Sequence, residues 1–202
     1  MVEEQIEQTD NPVQDSSANL LKLIVTHYAV GVGVLAIWAA ADSWYLLTSL
    51  TMANVLSMAT AILAGVVVST LIHEWCHFFG AIFSGASYNI PAKLGLFVFD
   101  YQFEKNSVKQ FLWMSIGGQI GGVLAVLLLY FSLPIDNSGR IMLISAAIGS
   151  AVFAGLIEWP VIMRARVSGE PQQELGKIDK AGLYRSLRWG LAVTLVLWAV
   201  IA

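Results

Sequence analysis

Long apolar runs separated by short polar stretches dominate the pattern along this chain. Five runs are long enough to cross a bilayer as a helix, which takes about 20 residues. They lie at roughly 21–41, 55–83, 111–133, 141–163 and 184–202. The fifth carries Arg185 and Arg188 in its first turn, whose charged ends must reach back to the interface. Segment 84–110 between the second and third runs behaves differently. It alternates in part (Leu96 and Val98 against Phe97 and Phe99) and contains Gly85, Pro91 and Gly95. That pattern predicts a short β-hairpin or re-entrant piece, not a sixth helix. The expected fold class is an all-α polytopic membrane protein, with about five transmembrane helices and this hairpin between helices 2 and 3. Residues 1–18 are polar and acidic (Glu3, Glu4, Glu7, Asp10, Asp15) and predict a disordered tail. Residues 19–202 then form one transmembrane domain.

Composition supports the membrane reading. Hydrophobic residues make up 57% of the chain and charged residues only 12%, about half the charged share of a soluble domain. The net charge of −3 argues against a nucleic-acid partner. The single cysteine, Cys76, excludes an internal disulfide. The acidic N-terminal stretch lacks the basic start of a signal peptide. Lys and Arg set the expected orientation. With five spans, ten of the eleven basic residues fall on one side: Lys22, those of the 84–110 loop and those of the 164–188 loop. Arg140 alone lies on the other. The positive-inside rule places the N-terminus and both large loops in the cytoplasm. The expected location is a prokaryotic plasma (inner) membrane.

The second span carries chemistry. His73-Glu74-Trp75-Cys76-His77 is an H-E-x-x-H sequence within an apolar helix. Ionisable groups there cost about 2.5–3.5 kcal/mol each on insertion scales. Positions i and i+4 share a helix face, so His73 and His77 can aim both rings at one metal ion. Glu74 sits beside them as a candidate general base. This is the arrangement of a zinc hydrolase.

A catalytic zinc takes three protein ligands, and the third is open between Glu158, Asp136 and His27. His73 and His77 lie roughly 10–15 Å below the cytoplasmic end of their span. Glu158 lies about 9 Å deep in the fourth span, at a similar level. Asp136 belongs to the outer turn Pro134-Ile135-Asp136-Asn137 and lies on the opposite side unless that turn folds inward. His27 lies in the cytoplasmic half of span one. Depth favours Glu158, and Pro160 just after it bends the helix where a cavity can form. A competing reading pairs Glu158 with Arg164 or Arg166 near the interface.

Over residues 55–165 the chain resembles the site-2 protease family of intramembrane zinc metalloproteases. The resemblance rests on His73-Glu74-Trp75-Cys76-His77, followed by small residues and Gly85. It also rests on Gly117-Gly118-Gln119-Ile120-Gly121-Gly122, which is similar to the family's G-P-x-x-N segment. The 84–110 hairpin, with Gly95 and Asp100, is similar to the membrane-edge β-structure that guides an extended substrate in that family. The resemblance implies one Zn2+ per chain, a transmembrane protein as substrate and Glu74 as catalytic base. The chain departs from the family in the G-P-x-x-N segment, with Gln119 for the proline and Gly122 for the asparagine, and at the third ligand, where Gly155-Leu156-Ile157-Glu158-Trp159-Pro160 offers glutamate in place of aspartate. An inactive, protease-like membrane scaffold is the alternative that these departures raise.

The remaining motifs have plainer readings. Gly117 with Gly121, and Gly118 with Gly122, form G-x-x-x-G pairs suited to close helix packing. Gln119 is a lesser candidate for stabilising an oxyanion. Cys76 is expected to be a small packed residue. Trp38, Trp44, Trp113, Trp159, Trp189 and Trp198 are expected near span ends as an aromatic belt. Segment 168–180 reads as a solvated linker.

Overall fold

The computed structural model describes residues 12–202. Most of the expected acidic tail lies outside the described residues. The fold is all-α with one two-stranded hairpin. In chain order the elements are α1 (Pro12–Thr48), α2 (Thr51–Phe83), β1 (Tyr88–Asn89), β2 (Asp100–Tyr101), α3 (Val108–Ser132), α4 (Ser138–Ser168), α5 (Pro171–Gly176) and α6 (Lys180–Ile201). Five of the helices are long and apolar enough to cross a membrane. Their outer faces carry large exposed apolar side chains, among them Leu47, Phe83, Phe131 and Val167, as suits contact with lipid.

Helix α1 departs from the expected bounds at both ends. Among the described residues it runs from Pro12, so residues 12–18, expected as part of the tail, are helical. The helix also runs past residue 41, because Asp42 is not a stop signal. Asp42 is buried and accepts from Arg140 Nε at 3.0 Å and from Ser57 Oγ at 3.1 Å. A paired and hydrogen-bonded charge is tolerated where a lone one is not.

The turns are specified locally. Gly85 ends α2 with φ of 67°. Gly85 N–H donates to Ile82 O and Ala86 N–H to Ala81 O, the Schellman pattern that needs a left-handed residue. The strands pair antiparallel, Tyr88 with Tyr101 and Asn89 with Asp100. Asn106 ties the hairpin base by accepting from Ser87 N at 2.6 Å and donating to Ser87 O and Gln102 O. Ser107 and Gln110 then start α3 with a reciprocal capping box. The stretch expected as a linker holds the short helix α5. Its Glu174 is buried between Arg164 (2.8 Å) and Lys177 (2.7 Å). Lys177, and after it Arg164, hold the Glu174 carboxyl below the usual carboxylate range.

Helices α2 and α4 form the centre, with α1 and α3 packed on α2 and α6 packed on α4. Small residues let the backbones approach. A Cβ on Gly65 would meet Leu143 O, with Ala146 Cβ at 2.9 Å and Ala147 N at 3.2 Å. A Cβ on Gly149 would collide with Thr194 Oγ1, which donates to Gly190 O at 3.0 Å. Helix α6 is therefore docked against α4 through polar and small contacts, as a span should be. Trp38 departs from the aromatic-belt expectation. It is buried in the core cluster that includes Ala61, Ala64 and Leu143, where the two alanines leave room for an indole.

Gly65→Val should force α2 and α4 apart and destabilise the protein by about 1–3 kcal/mol, the usual cost of overpacking. Gly33→Ala, where an added Cβ meets nothing within 4 Å, should leave stability unchanged or slightly raised. Thermal unfolding of both variants in detergent checks the contrast.

Candidate metal centre

His73 and His77 lie one turn apart on α2, on the face turned toward α3 and α4. Glu158 reaches them from α4. His73 Nε2 is 2.8 Å from Glu158 Oε1, His77 Nε2 is 3.4 Å from the same oxygen, and the two Nε2 atoms are 3.0 Å apart. Among the described residues these three form the one group of His, Cys, Asp or Glu side chains close enough to share a metal ion.

The donor set fits a metal. His77 Nδ1–H donates to Met114 O at 2.9 Å. That bond leaves Nε2 as a lone pair aimed into the group. Gln119 Nε2 donates to Glu158 Oε2 at 2.7 Å, which turns Oε1 toward the histidines. His77 Nε2 and Glu158 Oε1 are thus acceptors, and His73 Nε2 is a third whenever its ring carries the proton on Nδ1; a single cation then satisfies all three. Tetrahedral ligands at zinc's bond lengths of about 2.0–2.1 Å stand roughly 3.3 Å apart. The observed separations need to open by only a few tenths of an ångström.

Glycines on α3 make this geometry possible. A Cβ on Gly118 would occupy the space of the His77 ring. A Cβ on Gly121 would stand 2.6 Å from Cys76 Cβ and 2.9 Å from His73 Cα, and one on Gly117 would strike Cys76 O. The G-x-x-x-G pairs and Cys76 therefore act in packing, as their spacing suggests. Gly155 on α4 similarly leaves space for the Gln119 side chain, whose Oε1 would lie 3.3 Å from an added Cβ.

Glu74 is half-buried and stands beside this group. It borders a cavity of about 320 Å³ together with His77 and Glu158. A second cavity of about 280 Å³ also touches Glu74 and Glu158, with His73 on its wall. No hydrogen bond ties down the Glu74 carboxylate among the described residues, so it is available to a molecule in either cavity.

The other two candidate ligands lie elsewhere. Asp136 is exposed and pairs with Arg140 at 2.8 Å. It lies at the end of the bundle where α3 turns into α4, away from the histidines. His27 is buried in α1 with both ring nitrogens engaged. Trp75 Nε1–H donates to Nδ1 at 3.2 Å, and Nε2–H donates to Gly95 O at 2.9 Å. His27 thus holds the 90–99 loop against α1 and has no lone pair left for a metal. The interfacial pairing considered for Glu158 does not occur, since Arg164 engages Glu174. Gln119 spends one amide N–H on Glu158 and so orients it. Sequence reasoning missed the roles of Trp75, Gln119 and Asp42. Trp75 and His27 are 48 residues apart, and only the packing of α1 on α2 brings them together.

No family model, curated protein or solved structure matches this chain.

Gln119→Leu removes the hydrogen bond that orients Glu158 while roughly conserving volume. It should weaken metal binding about 10–100-fold, as loss of such supporting bonds does. Asp136→Ala should leave binding unchanged. Competition against a chromophoric chelator, using zinc as the probe, measures both.

Proposed function

We propose that this chain is an intramembrane zinc endopeptidase, similar to the site-2 protease family, which hydrolyses a peptide bond in or near a transmembrane segment of another protein. One observation carries the reading: His73, His77 and Glu158 converge within an apolar bundle, with the unbonded Glu74 carboxylate facing the same cavity. Three ionisable groups at that depth are costly unless they act together.

His73, His77 and Glu158 would hold the zinc, and Gln119 and Met114 O would orient two of these ligands. When bound, the zinc supplies Lewis-acid polarisation of a carbonyl and lowers the pKa of water toward neutrality. Glu74 takes a proton from the attacking water as its oxygen bonds to the scissile carbonyl carbon. Glu74 then delivers that proton to the amide nitrogen as the C–N bond breaks. Water is consumed; its second proton passes from the new carboxyl group to the amine, so a carboxylate and an ammonium leave.

A peptide bond within a transmembrane helix is shielded by its own hydrogen bonds, so the substrate must first be extended. Among the described residues no third strand lies beside the β1–β2 pair, so an unwound segment can add to its edge. The excess of Lys and Arg on the hairpin side argues that the site opens to the cytoplasm. Substrates are accordingly membrane proteins whose cleavage site lies near the cytoplasmic leaflet. The expected setting is a prokaryotic plasma membrane.

Glu74→Gln should retain zinc and lower cleavage of a reconstituted transmembrane substrate by at least about 100-fold, the usual contribution of a general base. Zinc analysis and gel-based cleavage on the same preparation read the two arms. Undiminished cleavage would contradict the mechanism. Stoichiometric zinc in the wild type with no cleavage of any transmembrane substrate would point to a metal-holding scaffold.

A further inference from the structure

The cavity beside the metal-binding group has a distinct character. One wall is Glu74, His77 and Glu158, and the opposite wall is aromatic: Phe97, Phe99, Tyr101, Phe103 and Phe111. These rings come from the hairpin, the residues following it and the first turn of α3. They pack edge-on, with Tyr101 5.0 Å from Phe103 and 6.2 Å from Phe111 between ring centres. The hairpin thus carries an apolar pocket to the edge of the ionisable group.

Its size and continuity limit what it can hold. A benzene ring fits a cavity of roughly 150 Å³, so a volume of about 320 Å³ accepts a bulky side chain and part of its backbone. Phe97 and Glu74 also border the second cavity on the other side of the group. The two spaces flank Glu74 and Glu158, so a chain lying across the group enters both. That geometry suits an extended peptide better than a compact small molecule.

A second observation points to a ligand in the same place. The Tyr101 hydroxyl is buried and has no hydrogen-bond partner. Such a group forfeits about 1–3 kcal/mol, and Tyr101 lines the cavity, so a polar atom brought there can accept from the hydroxyl as the side chain adjusts. Burial pushes the phenol up to about 12, so the hydroxyl stays protonated and can donate.

We propose that this cavity takes one bulky apolar side chain (Phe, Leu or Met) of a peptide lying across His73, His77 and Glu158. The Tyr101 hydroxyl donates to a polar atom of that same segment. Naming the ligand a substrate rests on the peptidase reading above, whereas the pocket itself does not.

The test uses zinc-loaded full-length protein in detergent and a set of peptide hydroxamates. The peptides are identical except for Ala, Leu or Phe beside the hydroxamate, and affinity is measured by calorimetry. Leu and Phe should bind at least roughly tenfold tighter than Ala, as burial of that much apolar surface implies. Tyr101→Phe should weaken the Phe peptide by about threefold to tenfold, the worth of one hydrogen bond. Leu175→Trp, which fills the cavity from α5, should erase the Phe preference. Zinc content reports whether the site of each variant is intact, and the wild-type series decides the matter if Leu175→Trp does not fold. Equal affinities across the wild-type series, or no binding of any hydroxamate, overturn the pocket even if the protein cleaves a substrate. A Phe preference without cleavage of any protein supports the pocket and tells against only the peptidase reading.

Discussion

The approach of α3 to α2 is the contact on which the site depends. Gly117, Gly118 and Gly121 put no α3 side chain between the two backbones at the level of His73 and His77. The His77 ring therefore fits against α3 and donates to Met114 O. The same approach brings Gln119 to Glu158, which α4 supplies from the far side. Lipid tails are as apolar as the helices, so burial alone gives little drive for helices to associate in a membrane. Close packing and interhelical hydrogen bonds must supply it. Here those contacts also aim the candidate metal ligands.

Charge is handled in the same way at both ends of the bundle. At one end Arg140 joins Asp42 on α1 to Asp136 in the α3–α4 turn. At the other end Arg164 and Lys177 close on Glu174 and fold the α4–α6 connection back onto the bundle. His27 has a comparable role at the hairpin, where it joins Trp75 on α2 to Gly95 in the loop. In each of these cases a polar group is matched to one on another element, so these charges join the helices together.

Much of this was legible in the sequence because it depends on period and length. The apolar runs marked the five long helices, and the Gly, Pro and alternation of 84–110 marked the hairpin. The i, i+4 spacing placed His73 and His77 on one face. Glu158 could be ranked above Asp136 by depth along antiparallel helices, since rise per residue is nearly constant. Helix rotation could not be ranked in that way. Which way Gln119 faces, or whether His27 is spent on a loop, depends on contacts between segments far apart in the chain. Span ends were misjudged where a charge had a distant partner, as Asp42 has in Arg140. The aromatic belt failed at Trp38 for a related reason, since the small residues that admit it lie on other helices.

The central claim is that His73, His77 and Glu158 together hold one zinc ion within the bundle. X-ray absorption at the zinc edge, on purified protein of known metal content, tests it most directly. The account predicts one zinc per chain, with two imidazole nitrogens and a carboxylate oxygen at about 2.0–2.2 Å and no sulfur. A shell containing sulfur at about 2.3 Å would assign Cys76 in place of Glu158. Failure to bind zinc at all under metal-replete conditions would contradict the account outright.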